Sequence, residues 1–383
     1  MNLKNKKSIT NLIYILTILL STIFIFVGYR MNKTEHFLDE NAENSYAAKV
    51  IYVDDEIKEK QEYGNEIIEN ITIKFYAKII NGDIKNQEIE GFQYIDGIVE
   101  VNPKKIEKGD NIIVSLIQSR TSEGKVWTFI EYNRINQMIT ILICFVVFLI
   151  LIGHKKGIRS IISLIFTVLS IFLVFIPSII KGNNIYISTV IISVFIIFMN
   201  LLIINGANKK TFCAIVGNLG GFFVSGLLAI FISKALNLTG LIDQDSMFLI
   251  MINPDKPIDL IAVLWGSIVI GSLGAVMDVS MSIASALNEL ALNMENRKFK
   301  TFLKSGINIG QDAIGTMTNT LILAYIGSSL SVVLLLYVYY KDILLLFNLE
   351  MIVFEILQAI IGSMGILFTV PITSIFSAYI FSK

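Results

Sequence analysis

Two acids, Asp278 and Asp312, stand inside consecutive apolar runs of this sequence, each run long enough to cross a membrane. A carboxylate at mid-depth in lipid costs several kcal/mol unless it finds a partner, a proton or water. The neighbours of both acids recur at helical spacing. Asp278, Ser282, Ser285 and Glu289 follow at intervals of four, three and four, and Asn308, Asp312, Thr316 and Asn319 at four, four and three. Each set therefore forms a polar stripe on one helical face, and such stripes are expected to face protein. Two carboxylates sharing a low-dielectric site cannot both ionise cheaply, so one holds a proton near neutral pH or a cation lies between them. Oxygen donors from Asp278, Asp312, Asn308 and Ser282 suit protons or a hard cation better than a soft metal. Asp278, Asp312, Ser282, Asn308, Thr316 and Asn319 are thus candidates for proton or ion coupling, with Ser285, Glu289, Glu355 and Gln358 as secondary polar candidates. The competing reading makes the hydroxyls and amides hydrogen-bonding glue between helices.

Other chemistries find little support. Cys144 and Cys213 both lie in apolar segments, which suggests neither a disulfide scaffold nor a thiolate site. His36 and His154 are far apart in the chain, and Met277 and Met281 flank Asp278 as packing residues. With no nucleophile–base set and no metal motif, neither enzyme activity, a metal nor a cofactor is expected. Lys+Arg and Asp+Glu balance at 31 each, so net charge points to no nucleic acid.

The elements that position the acids follow from composition. Of 383 residues, 54% are hydrophobic and 16% charged, against about 25% charged for soluble domains. The protein is expected to be a polytopic α-helical membrane protein of about eight transmembrane helices. A signal-anchor helix occupies 1–30, a small extracytoplasmic β-rich domain 31–134, and a seven-helix domain 135–383. Run length places the later spans at 137–153, 158–180, 184–205, 212–234, 258–281, 307–337 and 351–381. The short apolar segment 246–253 reads as interfacial or re-entrant. In 31–134, alternating runs at 71–80 and 111–118 read as strands. Turn signals at Asn81-Gly82-Asp83, Asp96-Gly97, Lys108-Gly109-Asp110 and Glu123-Gly124 suit a barrel or sandwich of about five to seven strands. That domain reads equally as a binding module and as a structural cap, with acids such as Asp54, Asp55 and Glu56 on a solvated surface.

Charge placement sets the topology. Lys4, Lys6, Lys7, Lys155, Lys156, Arg159, Lys209, Lys210, Arg297, Lys298, Lys300, Lys304 and Lys383 fall on one side of the eight spans, while the opposite loops carry Lys181, then Asp243, Asp245, Asp255 and Asp259 against Lys234 and Lys256, and Lys341 with Asp342. Basic loops stay cytosolic, so both termini are expected in the cytosol of a bacterial cytoplasmic membrane and 31–134 outside it. Asp278 and Asp312 then lie at similar depths. The lipid bilayer is the implied partner, with a second copy or another membrane protein covering any remaining face. Glycines at 217, 220, 221, 266, 271, 274, 362 and 365 allow close helix approach. Gly271-Ser272-Leu273-Gly274 is echoed by Gly362-Ser363-Met364-Gly365, a weak sign of a duplicated hairpin.

The stretches MDVSMSIASALNEL (277–290) and SGINIGQDAIGTMTNTLILAY (305–325) resemble the YibE/F-like family of bacterial membrane proteins. The layout of anchor, extracytoplasmic domain and multispan region agrees with it, and the resemblance implies class and location while leaving the substrate open. A looser likeness, to the last three spans of the SecD/SecF and RND exporters, rests on Asp278, Lys298 to Lys304, Thr316 to Thr320 and Gly362 to Pro371, and implies use of a proton-motive force. The resulting expectation is an ion- or proton-coupled transporter or exporter. The alternative is a non-transporting envelope assembly or regulatory protein whose outer domain binds a partner.

Overall fold

The computed structural model describes residues 3–33, 45–63, 66–97, 104–118, 124–252 and 256–383. His36, Glu123, Asp255 and parts of the expected domain 31–134 lie outside them. The chain forms two compact units, Glu35–Phe148 and Met1–Thr34 with Leu149–Lys383.

In the first unit five strands, β1 (Tyr46–Tyr63), β2 (Glu66–Ile79), β3 (Glu88–Ile95), β4 (Asn111–Gln118) and β5 (Lys125–Tyr132), close into a barrel in the order β1-β2-β3-β5-β4. Every ladder is antiparallel except β3–β5, where Gly91 pairs Trp127 and Phe92 pairs Thr128. Strict alternation drives this: along β3, Ile89, Gly91, Gln93 and Ile95 point inward while Glu88 and Glu90 face solvent. Ile89 packs in one cluster with Val50, Phe75, Ala77, Ile112 and Val114. Gly91 has a packing reason, since a Cβ there would lie 2.6 Å from the Phe75 ring. Bulges between Val50 and Tyr52 and between Val53 and Glu56 bend the long β1, which pairs β4 at its start and β2 along its length. Closure removes the free strand edges that would otherwise invite pairing with other chains.

The second unit is helical. It contains α1 (Leu3–Asn32), the later part of α2 (Ile135–Ser170), a π-helical turn (Ile171–Phe175), α3 (Ile176–Ile180), α4 (Ile185–Asn205), α5 (Lys209–Ala235), α6 (Gln244–Met251), α7 (Leu260–Asn293), α8 (Phe299–Ser328), α9 (Leu330–Tyr339), α10 (Ile343–Leu346) and α11 (Glu350–Phe381). Side-chain caps start five of them: Asn184, Asn208, Asp243, Asp259 and Asp342 accept from the N–H of Ile187, Thr211, Ser246, Ala262 and Leu344. Among the described residues six helices are long and apolar enough to cross a membrane, and the α8–α9 pair adds a seventh if taken together. The protein is a helical membrane protein carrying a β-barrel.

The stretch Ile135–Ile180 runs 46 residues but breaks at His154, whose φ of 48° is non-helical, between the spans expected at 137–153 and 158–180. Two details depart from the expected spans. The segment expected as one span at 307–337 bends by 63° between α8 and α9, where Gly327, Ser328 and Ser329 are weak helix formers. Finally, α7 and α8 extend toward each other well past the apolar runs, to Asn293 and from Phe299. Hydropathy measures where lipid is favourable and does not register where backbone hydrogen bonding stops. Between α5 and α7, α6 is only 8 residues, about 12 Å at 1.5 Å per residue and too short to span.

The centre of the unit is the packing of α5, α7 and α11, with Trp265, Ile268, Val276, Ile283, Leu287, Phe222 and Ile366 among its buried residues. Small residues set the spacing. A Cβ on Gly217 or Gly221 would lie within 2 Å of the Thr373 or Thr369 hydroxyl of α11, and one on Gly310 of α8 would lie 2.2 Å from Val370. Glycine is what lets α5 and α8 seat against α11.

Candidate functional site

The polar stripes read from the sequence belong to α7 and α8. On α7 the face bearing Ser272, Val276, Val279, Ile283 and Leu287 is buried, and Asp278, Ser282 and Glu289 lie exposed on the opposite face with Ser285 half-buried. On α8 the buried residues are Phe302, Gly306, Gly310 and Leu321, while Asn308, Gln311, Asp312, Thr316 and Asn319 are exposed. The expectation that these stripes face the bundle interior is not met within the single chain. The interior faces of both helices go to the small and apolar residues that fit α5 and α11, and the polar stripes are what remains. Gly274 and Gly315 within the stripes have open space where a Cβ would stand.

Both stripes turn to the same side of the α7–α8 hairpin. Around α8, Gly306 and Gly310 meet α11, Tyr325 comes next against α7, and the Asp312 stripe follows; around α7, Ser272 and Val276 meet α11, Gly271 comes next against Tyr325, and Asp278 follows. The stripes therefore begin where the α7–α8 contact ends, away from α11. Their levels also match. Asp278 lies fifteen residues before the end of α7 and Asp312 thirteen after the start of α8, about 22 and 20 Å along antiparallel helices. Among the described residues neither acid has a hydrogen-bond or ion-pair partner. The Thr316 hydroxyl donates to the Ala313 carbonyl at 3.1 Å, and that of Thr320 to Thr316 at 2.8 Å, so these hydroxyls are satisfied within the helix. An ionised Asp facing lipid at a helix centre costs about 2.5–3.5 kcal/mol. Two such acids at one level need a proton, a water-filled path or a covering protein surface.

A second polar group forms where α7, α8 and α11 meet nearer the start of α11. A Cβ on Gly271 would lie 2.9 Å from Tyr325 Oη and 3.4 Å from Gln358 Nε2. Tyr325 Oη and Glu355 Oε2 are buried without hydrogen-bond partners, and Glu355 is within electrostatic reach of Tyr325. Glu355 and Gln358 thus share a neighbourhood of their own, apart from the Asp278 level. Sequence reading passed over two participants. Tyr325 looks like an ordinary aromatic near a helix end, and only the approach of Gly271 reveals its role. Asn218 on α5 is fully buried with both amide atoms unpartnered, and the signal that could have found it is its spacing of seven from Thr211 and Ser225, which are buried on the same face. Among the described residues no three His, Cys, Asp or Glu side chains gather as a metal site. Cys144 and Cys213 are free thiols, one exposed and one buried.

No curated protein and no solved structure shows significant similarity to this chain. The YibE/F-like protein family model matches residues 141–383, more than half of the chain and all of α4 to α11. That match includes both stripes and the Tyr325 neighbourhood, and by it the chain belongs to the YibE/F-like protein family.

Proposed function

We propose that this protein is an ion- or proton-coupled transporter or exporter of the bacterial cytoplasmic membrane. The observation that carries the reading is the placement of Asp278 and Asp312, unpartnered, at one level and on one side of the α7–α8 hairpin. At a low-dielectric site such a pair alternates between a shared proton or cation and a deprotonated state that must be solvated. Ser282, Asn308, Thr316 and Asn319 line the same face and would hold water or substrate groups. The looser likeness to proton-driven exporters points the same way.

The membrane arrangement belongs to this proposal. A continuous helix over Ile135–Ile180 would be about 69 Å long, more than twice the ~30 Å hydrocarbon core. The break at His154, beside Lys155 and Lys156, divides it into two spans on the cytosolic side. With α8 and α9 as one bent span the total is eight, both termini are cytosolic, and the barrel is extracytoplasmic. The test is a proteoliposome assay following internal pH and membrane potential under imposed pH and cation gradients. Flux in the wild type, absent in folded Asp278→Asn, supports coupling; equal flux in the two overturns it.

The outward exposure of the stripes favours a second reading, an assembly or regulatory protein whose polar face is covered by a second copy or another membrane protein. Under that reading no gradient produces flux. Asp278→Asn and Asp312→Asn then change the oligomeric mass and thermal stability in mild detergent.

A further inference from the structure

The geometry points to a phosphate-binding cleft in the barrel unit. Lys49, Lys78, Lys85 and Lys108 line a cleft of about 740 Å³ with no acidic residue in its wall. Two of the four are forced together by strand register, because Lys49 of β1 pairs directly with Lys78 of β2. Like charges directly opposite on neighbouring strands repel.

Elsewhere the barrel avoids this. Lys58 pairs with Glu69 at 3.5 Å, Lys74 with Glu90 at 2.8 Å, Lys104 with Asp110 at 3.3 Å and Lys105 with Glu56 at 2.6 Å. None of the four cleft ammonium groups has an ion-pair or hydrogen-bond partner among the described residues. Glu88 stands across from Lys78 on the other side of β2, yet the two form no ion pair. Among the described residues, four barrel lysines outside the cleft are thus neutralised by acids, while the four that line it stand together uncompensated.

The two loop lysines are held in place by backbone bonds. Lys85 sits in a turn closed by Asn86 N donating to Ile79 O at 2.9 Å, and Asn81 Oδ1 ties that turn to Ala47 N at 2.7 Å. Lys108 precedes Gly109, whose N–H donates to Val50 O at 2.9 Å, while Val50 N donates to Asp110 O at 2.9 Å. Gly82 and Gly109, with φ of 73° and 96°, permit these turns. Both loops are anchored to β1 or β2, so the backbone that carries the two charges is preorganised and binding does not have to order it.

A single carboxylate would neutralise a quarter of this cluster, whereas a group carrying several negative charges matches it. Lysine ammoniums bind phosphate as point charges without demanding a fixed fork geometry. Ile51 and Ile80, 39% and 43% exposed, stand in the same wall and leave room for an apolar portion beside the phosphate. The ligand is a phosphate-bearing anion, supplied either as a phospholipid headgroup or as a soluble phosphate compound. Binding here is separate from the transport proposal, since it is read without any flux.

The experiment uses full-length protein in phosphatidylcholine nanodiscs at low salt. One arm titrates tripolyphosphate calorimetrically; the other captures fluorescent phosphatidylglycerol vesicles on immobilised nanodiscs, with phosphatidylcholine vesicles as reference. Binding in at least one arm is expected, weakening as salt rises. It should fall at least tenfold in Lys49→Gln/Lys78→Gln and stay within twofold in Lys58→Gln. Removing the repelling pair should leave the melting temperature equal or higher, and Lys85→Gln/Lys108→Gln provides an independent loss on the turns. Tripolyphosphate binding alone assigns a soluble source, and vesicle capture alone a headgroup. Failure of wild-type protein in both arms, or binding by both double variants as tight as that of the wild type, overturns the proposal.

Discussion

The α5–α11 seam and the outward face of α7 and α8 are built from the same kinds of residue and meet opposite fates. In the seam, Gly217 and Gly221 receive Thr373 and Thr369, and hydroxyls and glycines are buried together. On the outward face, Gly274 and Gly315 open onto empty space among Asp278, Asn308, Asp312 and Asn319. A glycine and a hydroxyl at helical spacing can therefore mean either a packed contact or an open polar surface. What separates them is whether the facing helix carries the complementary small residue.

The largest effect expected from this difference is at Gly221. A side chain there would begin 1.9 Å from Thr369 Oγ1 and 2.9 Å from the Gly365 carbonyl, which is backbone and cannot turn aside. Gly221→Leu should push α5 off α11 and cost at least ~3 kcal/mol, the upper range of overpacking. Size-exclusion profiles of the detergent-solubilised protein should show little monodisperse material. A well-folded Gly221→Leu would mean the seam is looser than its geometry.

Next come the acids, where the loss should be in function alone. Asp278→Asn and Asp312→Asn remove an unpartnered charge from an exposed face, so neither should lower thermal stability. Each should reduce gradient-driven flux at least tenfold, equivalent to about 1.4 kcal/mol in the barrier. A fall in stability with flux preserved would assign them to structure and bring the face closer in kind to the seam.

Much of this was readable from the chain, and the shortfalls have physical causes. Run length located the apolar helices, and the 3.6-residue period grouped Asp278 with Ser282 and Asp312 with Asn308. Periodicity states which residues share a face; it does not state what that face meets. The seam complement of Gly217 lies 156 residues away at Thr373, and no local pattern connects them. The barrel shows the same limit: alternation marked 71–80 and 111–118 as strands, yet Lys49 and Lys78 become neighbours only through the β1–β2 register. The bend at Ser329 is made by a few small residues inside a run that reads as one apolar span, whereas the break at His154 coincides with the basic interruption at Lys155 and Lys156.

Asn218 tests the seam from the other side. Both its amide atoms are buried without partners, and an unsatisfied buried polar group costs about 1–3 kcal/mol. Asn218→Leu, close in volume, should therefore raise the melting temperature, by an amount equivalent to about 1 kcal/mol. A drop instead would show that the amide is satisfied by water or by a bound group in the working protein, and would add Asn218 to the functional residues.

The smallest effect, and the sharpest contrast with Gly221, is expected at Gly315 and Gly274. Nothing lies within 4 Å of a Cβ at either position, and alanine is favoured over glycine in a helix interior by up to about 1 kcal/mol. Gly315→Ala and Gly274→Ala should leave the solubilised chain unchanged or slightly more stable. The same variants measured in native membranes carry a different meaning, because any neighbour that covers the face there would meet the new methyl groups. Equal stability in both settings says the face is open to lipid or water. A loss confined to the membrane says that a second surface is seated on it, with glycine making the close approach as it does in the seam.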